Sequence, residues 1–129
     1  MKPSISDIVE VNQILSLWGH LVDSHAWDRF DEIFTEDAHF DSCVFGFAPV
    51  NGIEAICRMA SQEGHAKAHH TTNVHVQEGP GDEIAAESKG LGLLADGSVA
   101  SVTYTDRLRR TADGWRLSSR VLALQPASR

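Results

Sequence analysis

Ala68-His69-His70-Thr71-Thr72-Asn73-Val74-His75-Val76-Gln77-Glu78 is the stretch from which the fold is read. It is rich in Thr and Val and stops at Gly79-Pro80-Gly81-Asp82, the composition and punctuation of a β-strand and its turn. Three further stretches repeat the form, at 83–95, 98–111 and 115–125, separated by Asp96-Gly97 and Asp113-Gly114. Asp-Gly steps signal hairpins because Gly accepts the positive φ that tight turns demand. The second half therefore reads as a four-stranded meander. Its faces are mixed, since Thr71 and Asn73 alternate with Val74 and Val76. A curved sheet wrapped around helices accounts for this better than a flat sandwich. The concave side of such a sheet would hold a pocket.

The first half supplies the helices. Ile8, Val11, Leu15, Trp18 and Val22 recur at three- and four-residue steps, which predicts a helix over 5–24. Ser4 or Ser6 could cap it, and Asp7 and Glu10 suit the positive end of its dipole. A break at 23–25 starts a second helix, with Ala26, Phe30, Ile33 and Phe34 inward. Residues 37–45 read as a short strand with Ala38, Phe40 and Ser42 on one face. Residues 45–49 read as a loop, and a third helix runs from Ile53 to about Gln62. Helices first and strands afterwards indicate an α+β fold.

The chain has 129 residues, which fits one domain spanning 1–129. Only Pro126 to Arg129 read as a frayed tail. The formal net charge is -7. This disfavours nucleic acid and anionic membrane as partners, since both call for a basic face. No apolar run approaches transmembrane length, and the N-terminus lacks the pattern of a signal peptide. Cys43 and Cys57 form no CxxC pair, so a reduced, cytoplasmic protein is expected.

The residues with chemical potential are Asp23, late on the first helix, and His69, at the start of the first long strand. A carboxylate beside an imidazole can move a proton near neutral pH. Each has a plainer reading. Asp23 could cap the second helix, and His69 could sit on a solvated polar face with Thr71, Asn73 and His75. A one-residue slip would exchange His69 for His70. Trp18, Phe40, Phe45, Phe47 and Met59 are candidate pocket walls, or ordinary core. Arg107, Arg109, Arg110 and Arg120 read as a solvated surface or as subunit contacts. His20, His25, His39, His65 and His75 show no metal-ligand spacing, and neither a catalytic metal nor a cofactor is expected.

Several segments occur in a telling order. They are Trp18-Gly19-His20-Leu21-Val22-Asp23, Trp27-Asp28-Arg29-Phe30, Phe34-Thr35-Glu36-Asp37-Ala38, Gly52-Ile53-Glu54-Ala55-Ile56, His69-His70-Thr71-Thr72-Asn73, and Asp113-Gly114-Trp115-Arg116-Leu117 with Arg120 downstream. In this order the chain resembles the SnoaL-like branch of the nuclear-transport-factor-like superfamily, over nearly its whole length. The resemblance implies a cone-shaped, strongly bent mixed sheet packed on three helices and enclosing one pocket. That superfamily includes scytalone and bile-acid dehydratases, lindane dehydrochlorinase, ketosteroid isomerase and polyketide cyclases, and members without known activity. By motif position, Asp23 matches an Asp that orients a catalytic His, His69 matches that His, and Asn73 matches an Asn that often follows it. Trp18 stands where several dehydratases carry a Tyr that polarises a carbonyl or hydroxyl; Tyr104 could replace it if it faces the pocket.

The first function expected is therefore a cofactor-free dehydratase for a hydrophobic cyclic or polyketide-like molecule. His69 and Asp23 would be catalytic, and Trp18, Asn73, Tyr104, Phe40, Phe45 and Met59 would bind substrate. The alternatives are an isomerase or cyclase with Asp23 as base, and a non-catalytic binding or scaffold protein. A homodimer or higher symmetric assembly is expected, through an outer sheet face carrying Val74, Val76, Val102 and Leu122.

Overall fold

Ser4 opens the first helix. Its hydroxyl accepts the Asp7 backbone N–H at 3.0 Å, and the Asp7 carboxylate accepts the Ser4 N–H at 2.9 Å. This reciprocal pair satisfies donors that a helix start leaves without partners. The helix, α1 (Ile5–Asp23), buries Val11, Ile14, Leu15, Trp18, Leu21 and Val22. Ile8 departs from the expected inner face and is exposed. The first turns of α1 are fastened by polar contacts instead: Asp7 accepts the Trp115 indole N–H at 3.0 Å, and Glu10 accepts the Trp115 backbone N–H at 3.0 Å.

The computed structural model describes residues 1–125, so the expected tail at 126–129 lies outside the described residues. Past α1, the expected second α-helix is a short 3₁₀ segment, Trp27–Glu32, without a side-chain cap. Only six residues lie between Ala26 and Ile33, which with Phe34 enters the core, and short connections of this kind commonly close as 3₁₀ turns. The first strand, β1 (Phe34–Asp41), also begins three residues earlier than expected. Its start is fixed from outside, where the Ile33 carbonyl accepts the Leu117 N–H at 2.7 Å. Its end is fixed locally, where Asp41 accepts the Cys43 N–H at 2.9 Å and turns the chain into a 3₁₀ turn, Cys43–Phe45. A two-residue strand β2 (Val50–Asn51) and helix α2 (Ile53–Ala60) come next.

The long strands fall where the turn residues placed them: β3 (Ala68–Glu78), β4 (Ile84–Leu93), β5 (Val99–Thr111) and β6 (Gly114–Leu124). The order across the sheet is β2-β1-β6-β5-β4-β3. Among the described residues only β1 against β6 is parallel, so the sheet is mixed. The fold is α+β, with a curved, unclosed six-stranded sheet wrapped around the helical segments. Helix α1 lies across β3 and β6. One apolar core fills the space between, around Phe30, Phe34, Trp115 and Leu117.

Pairing decides which residues point inward. His69 lies opposite Gly92, and His70 lies opposite the exposed Leu91. The register then shifts between Thr72 and His75, with Asn73 in the left-handed region at φ 55°. An extra residue of this kind exchanges the two faces beyond it. Val76 comes to lie opposite the buried Ala86, and His75 opposite the exposed Glu87. His69 and His75, expected on one face, therefore lie on opposite faces.

The expected outer face needs correction as well. Val102 and Leu122 are buried on the concave side, and Val74 and Val76 pack against the core. The convex side instead displays Leu91, Leu93, Val99 and Val121. Arg120 is also not a surface residue. It is fully buried and holds Asp106 through two 2.9 Å hydrogen bonds. No helix among the described residues is long and apolar enough to cross a membrane.

Candidate active site

Asp23 is the last residue of α1, and its side chain turns towards β3 rather than capping the 3₁₀ segment. One carboxylate oxygen lies 2.7 Å from His69 Nδ1. The other accepts the His69 backbone N–H at 3.0 Å. One oxygen thus orients the imidazole and the other holds the strand backbone that carries it. An Nδ1 that faces a carboxylate carries the proton, so Nε2 keeps its lone pair. The two side chains are 15% and 29% exposed, so the pair is shielded yet reachable.

Close approach of α1 to β3 makes this contact possible. Gly19 sits against the His69 backbone, and a Cβ there would lie 2.4 Å from the His69 carbonyl oxygen. Trp18, the preceding residue, meets the His69 ring edge-on at 6.1 Å between centroids. The Gly in Trp18-Gly19 therefore sets the distance between the elements, and Trp18 supplies a wall.

His69 opens onto a cavity between the concave sheet and the helices. Trp18, Phe40, Phe45, Met59 and Tyr104, all expected to bind a ligand, line it. Asn73 does not. It is exposed at the bulge, where its side-chain oxygen accepts the Thr72 hydroxyl at 2.5 Å. Among the described residues, no three His, Cys, Asp or Glu side chains converge in a way that could hold a metal.

The polar floor of the cavity is Tyr104. Its ring lies over Gly90, where a Cβ would come within 2.7 Å of the hydroxyl oxygen. The Arg120 guanidinium stacks on the ring at 4.0 Å from its centroid and also lies 5.5 Å from that of Trp18. Burial pushes the pKa of the Tyr104 hydroxyl up, against the opposing pull of Arg120 and of the Trp18 indole N–H. The phenol therefore stays protonated at neutral pH and acts as a donor. The Trp18 indole N–H is buried and lacks a well-formed hydrogen bond among the described residues. The indole N–H is turned towards the Tyr104 oxygen, and the Tyr104 hydroxyl has no acceptor among the described residues, so the two donors stand together in one wall, an arrangement suited to a ligand oxygen.

Sequence reasoning misses two residues here. Arg120 reads as a surface charge, yet it anchors the Tyr104 ring from below. His65, one of the histidines without coherent spacing, lines the cavity from the loop before β3. No periodicity can place a loop residue; the only signal in the sequence is its nearness to His69.

A model of the SnoaL-like domain matches residues 3–121. The chain belongs to the SnoaL-like family. Among solved structures it is similar to an NTF2-like protein with a cystatin-like fold from Novosphingobium aromaticivorans. That match has 25% identity and a TM-score of 0.76, and covers 96% of this chain and 85% of the other. A proposed scytalone dehydratase from the same organism superposes with a TM-score of 0.76 at 12% identity, covering 95% of this chain and 86% of that one. A hexachlorocyclohexane dehydrochlorinase superposes at 0.77 with 18% identity, over 95% and 87% of the two chains. At such identities the last two establish the shared fold alone. No curated protein sequence matches this SnoaL-like chain.

Proposed function

We propose that this SnoaL-like protein is a cofactor-independent lyase that removes water from a hydrophobic, cyclic or polyketide-like hydroxy-carbonyl compound. The observation that carries the reading is the Asp23–His69 contact at 2.7 Å on the wall of an apolar cavity. In the reaction, His69 Nε2 takes the proton from the carbon next to the carbonyl. The electron pair left on that carbon forms the double bond as the β carbon–oxygen bond breaks. The departing hydroxide takes the proton back from the imidazolium and leaves as water. Asp23 fixes the tautomer and stabilises the imidazolium. The Tyr104 hydroxyl and Trp18 indole N–H stabilise negative charge developing on the carbonyl oxygen. The polariser is thus divided between a strand phenol and a helix indole, and an indole suffices because this role needs a donor, not an acid.

An isomerase with Asp23 as base is less well supported. Both carboxylate oxygens already serve His69, whereas a carboxylate base needs a free oxygen facing the substrate.

The convex apolar strip of Leu91, Leu93, Val99 and Val121 supports self-association into a homodimer, which sedimentation at micromolar concentration would test. Cys43 and Cys57 are free, in keeping with a reducing cytoplasm.

The test is conversion of cyclic β-hydroxyketones to conjugated enones, followed by absorbance. His69→Ala should lower turnover roughly a hundred- to ten-thousand-fold with its circular dichroism unchanged. A folded His69→Ala protein with full turnover would overturn the reading. A protein that binds these compounds tightly without converting them would favour a binding role.

A further inference from the structure

His65 has its own geometry in the cavity. Its Nε2 lies 2.9 Å from the Met59 carbonyl oxygen. A carbonyl only accepts, so Nε2 must carry the proton, and in the neutral ring Nδ1 is left as a bare acceptor. The ring is stacked on Phe47, 4.4 Å between centroids and 7° from parallel, which fixes its plane. Among the described residues Nδ1 has no hydrogen-bond partner, while the ring lines the cavity that His69 opens onto.

We propose that His65 is a specificity residue whose Nδ1 accepts a hydrogen bond from a hydroxyl group on the ligand. The inference rests on the hydroxy-carbonyl reading above and deepens it. The cavity offers two donors at one wall, Tyr104 and Trp18, and one acceptor at another, His65. A ligand that satisfies all three is an apolar ring bearing a carbonyl oxygen and, elsewhere on its frame, a hydroxyl. A simple ketone leaves His65 unpaired, and a simple hydrocarbon leaves all three unpaired.

The acceptor role is protected chemically. Burial pushes the His65 pKa below its ordinary value; the Met59 carbonyl pulls the other way, and positive charge on His69 presses it down further. A protonated His65 would present donors only and would repel the imidazolium that forms on His69 during turnover. Keeping His65 neutral therefore serves both selectivity and the proton transfer beside it.

The test uses binding of inert probes, so it does not depend on turnover. Acetophenone, 3-hydroxyacetophenone and 4-hydroxyacetophenone carry the same carbonyl, and none can lose water. Titration calorimetry on the wild-type protein should show one hydroxylated probe binding about tenfold more tightly than acetophenone, the worth of one hydrogen bond in a shielded site. His65→Phe keeps the aromatic stack and removes the acceptor. It should bring the ratio to within about twofold while leaving the affinity for acetophenone unchanged, which also reports that the cavity is intact. His65→Leu, the second variant, should do the same. A preference that survives in a folded His65 variant would overturn the proposal. So would a wild-type protein that does not favour, or does not bind, the hydroxylated probes. Loss of enone formation in the turnover assay with the probe preference intact would remove the lyase reading and leave this one standing.

Discussion

The backbone of His69 lies so close to Gly19 that a single added methyl group would stand 2.4 Å from its carbonyl oxygen. Helix α1 and strand β3 touch backbone to backbone at this point, and Asp23, one turn further on, reaches both the backbone N–H and the ring Nδ1 of His69 as a result.

Gly19→Ala is therefore expected to cost activity more than stability. Alanine favours the helix by about 1 kcal/mol over glycine. Pressing a methyl group against rigid backbone costs about 1–3 kcal/mol. The net loss of stability should be small, because α1 can shift outward, but the shift carries Asp23 away from His69. Melting and enone-formation assays on the same sample check this. A turnover unchanged from wild type would show that the close approach does not matter.

Asp23→Asn should leave the fold nearly intact and lower turnover by about a hundredfold or more, because an amide neither holds the Nδ1–H tautomer nor stabilises an imidazolium. Nitrogen-15 NMR of the His69 ring provides the structural check. The wild-type ring should be protonated at Nδ1 when neutral, and the variant should show the Nε2–H form.

Tyr104→Phe keeps the ring over Gly90 and against Arg120 and removes the hydroxyl. Loss of one donor to a developing oxyanion should lower kcat roughly a hundredfold with a small change in KM. Trp18→Phe should act in the same direction. If Tyr104→Phe raised KM alone, the hydroxyl would be a ground-state contact.

Asp7 makes acid stability testable. Its own N-cap contacts to Ser4, together with Trp115 and Arg110, hold its pKa at about 2 instead of 3.8. A carboxylate with a lowered folded pKa adds stability at pH values above 3.8 and loses it as pH falls through about 2. The difference in Tm between wild type and Asp7→Asn should be constant from pH 7 to about 5 and close between about pH 4 and 2. A gap that does not change with pH would contradict the assigned role.

Much of this architecture is legible in the sequence because it is written locally. Gly79-Pro80-Gly81-Asp82, Asp96-Gly97 and Asp113-Gly114 punctuate the meander, and the apolar spacing of α1 marks its inner face. The nearness of Asp23 to His69 is legible through the order of motifs and not through any property of either residue. The features that cannot be read depend on partners distant in sequence. The start of β1 is set by Leu117, more than eighty residues on. The bulge at Asn73 exchanges the faces of β3 beyond it, and alternation alone has no means of detecting an extra residue. Arg120 looks like a surface charge until Asp106, on the neighbouring strand, is placed beside it in the core. His65 occupies a loop, where no periodicity operates.

The central claim is that His69, held by Asp23, removes a proton from carbon. The most direct measurement is exchange of the α-hydrogens of a cyclic ketone in deuterium oxide, followed by proton NMR, with wild-type, His69→Gln and Asp23→Asn proteins. Exchange reports the proton transfer without requiring that any group leave. Enzyme-dependent exchange in the wild type that disappears in His69→Gln and falls sharply in Asp23→Asn is the predicted result. Exchange that persists undiminished in His69→Gln, or a wild-type rate no faster than buffer, would contradict the account.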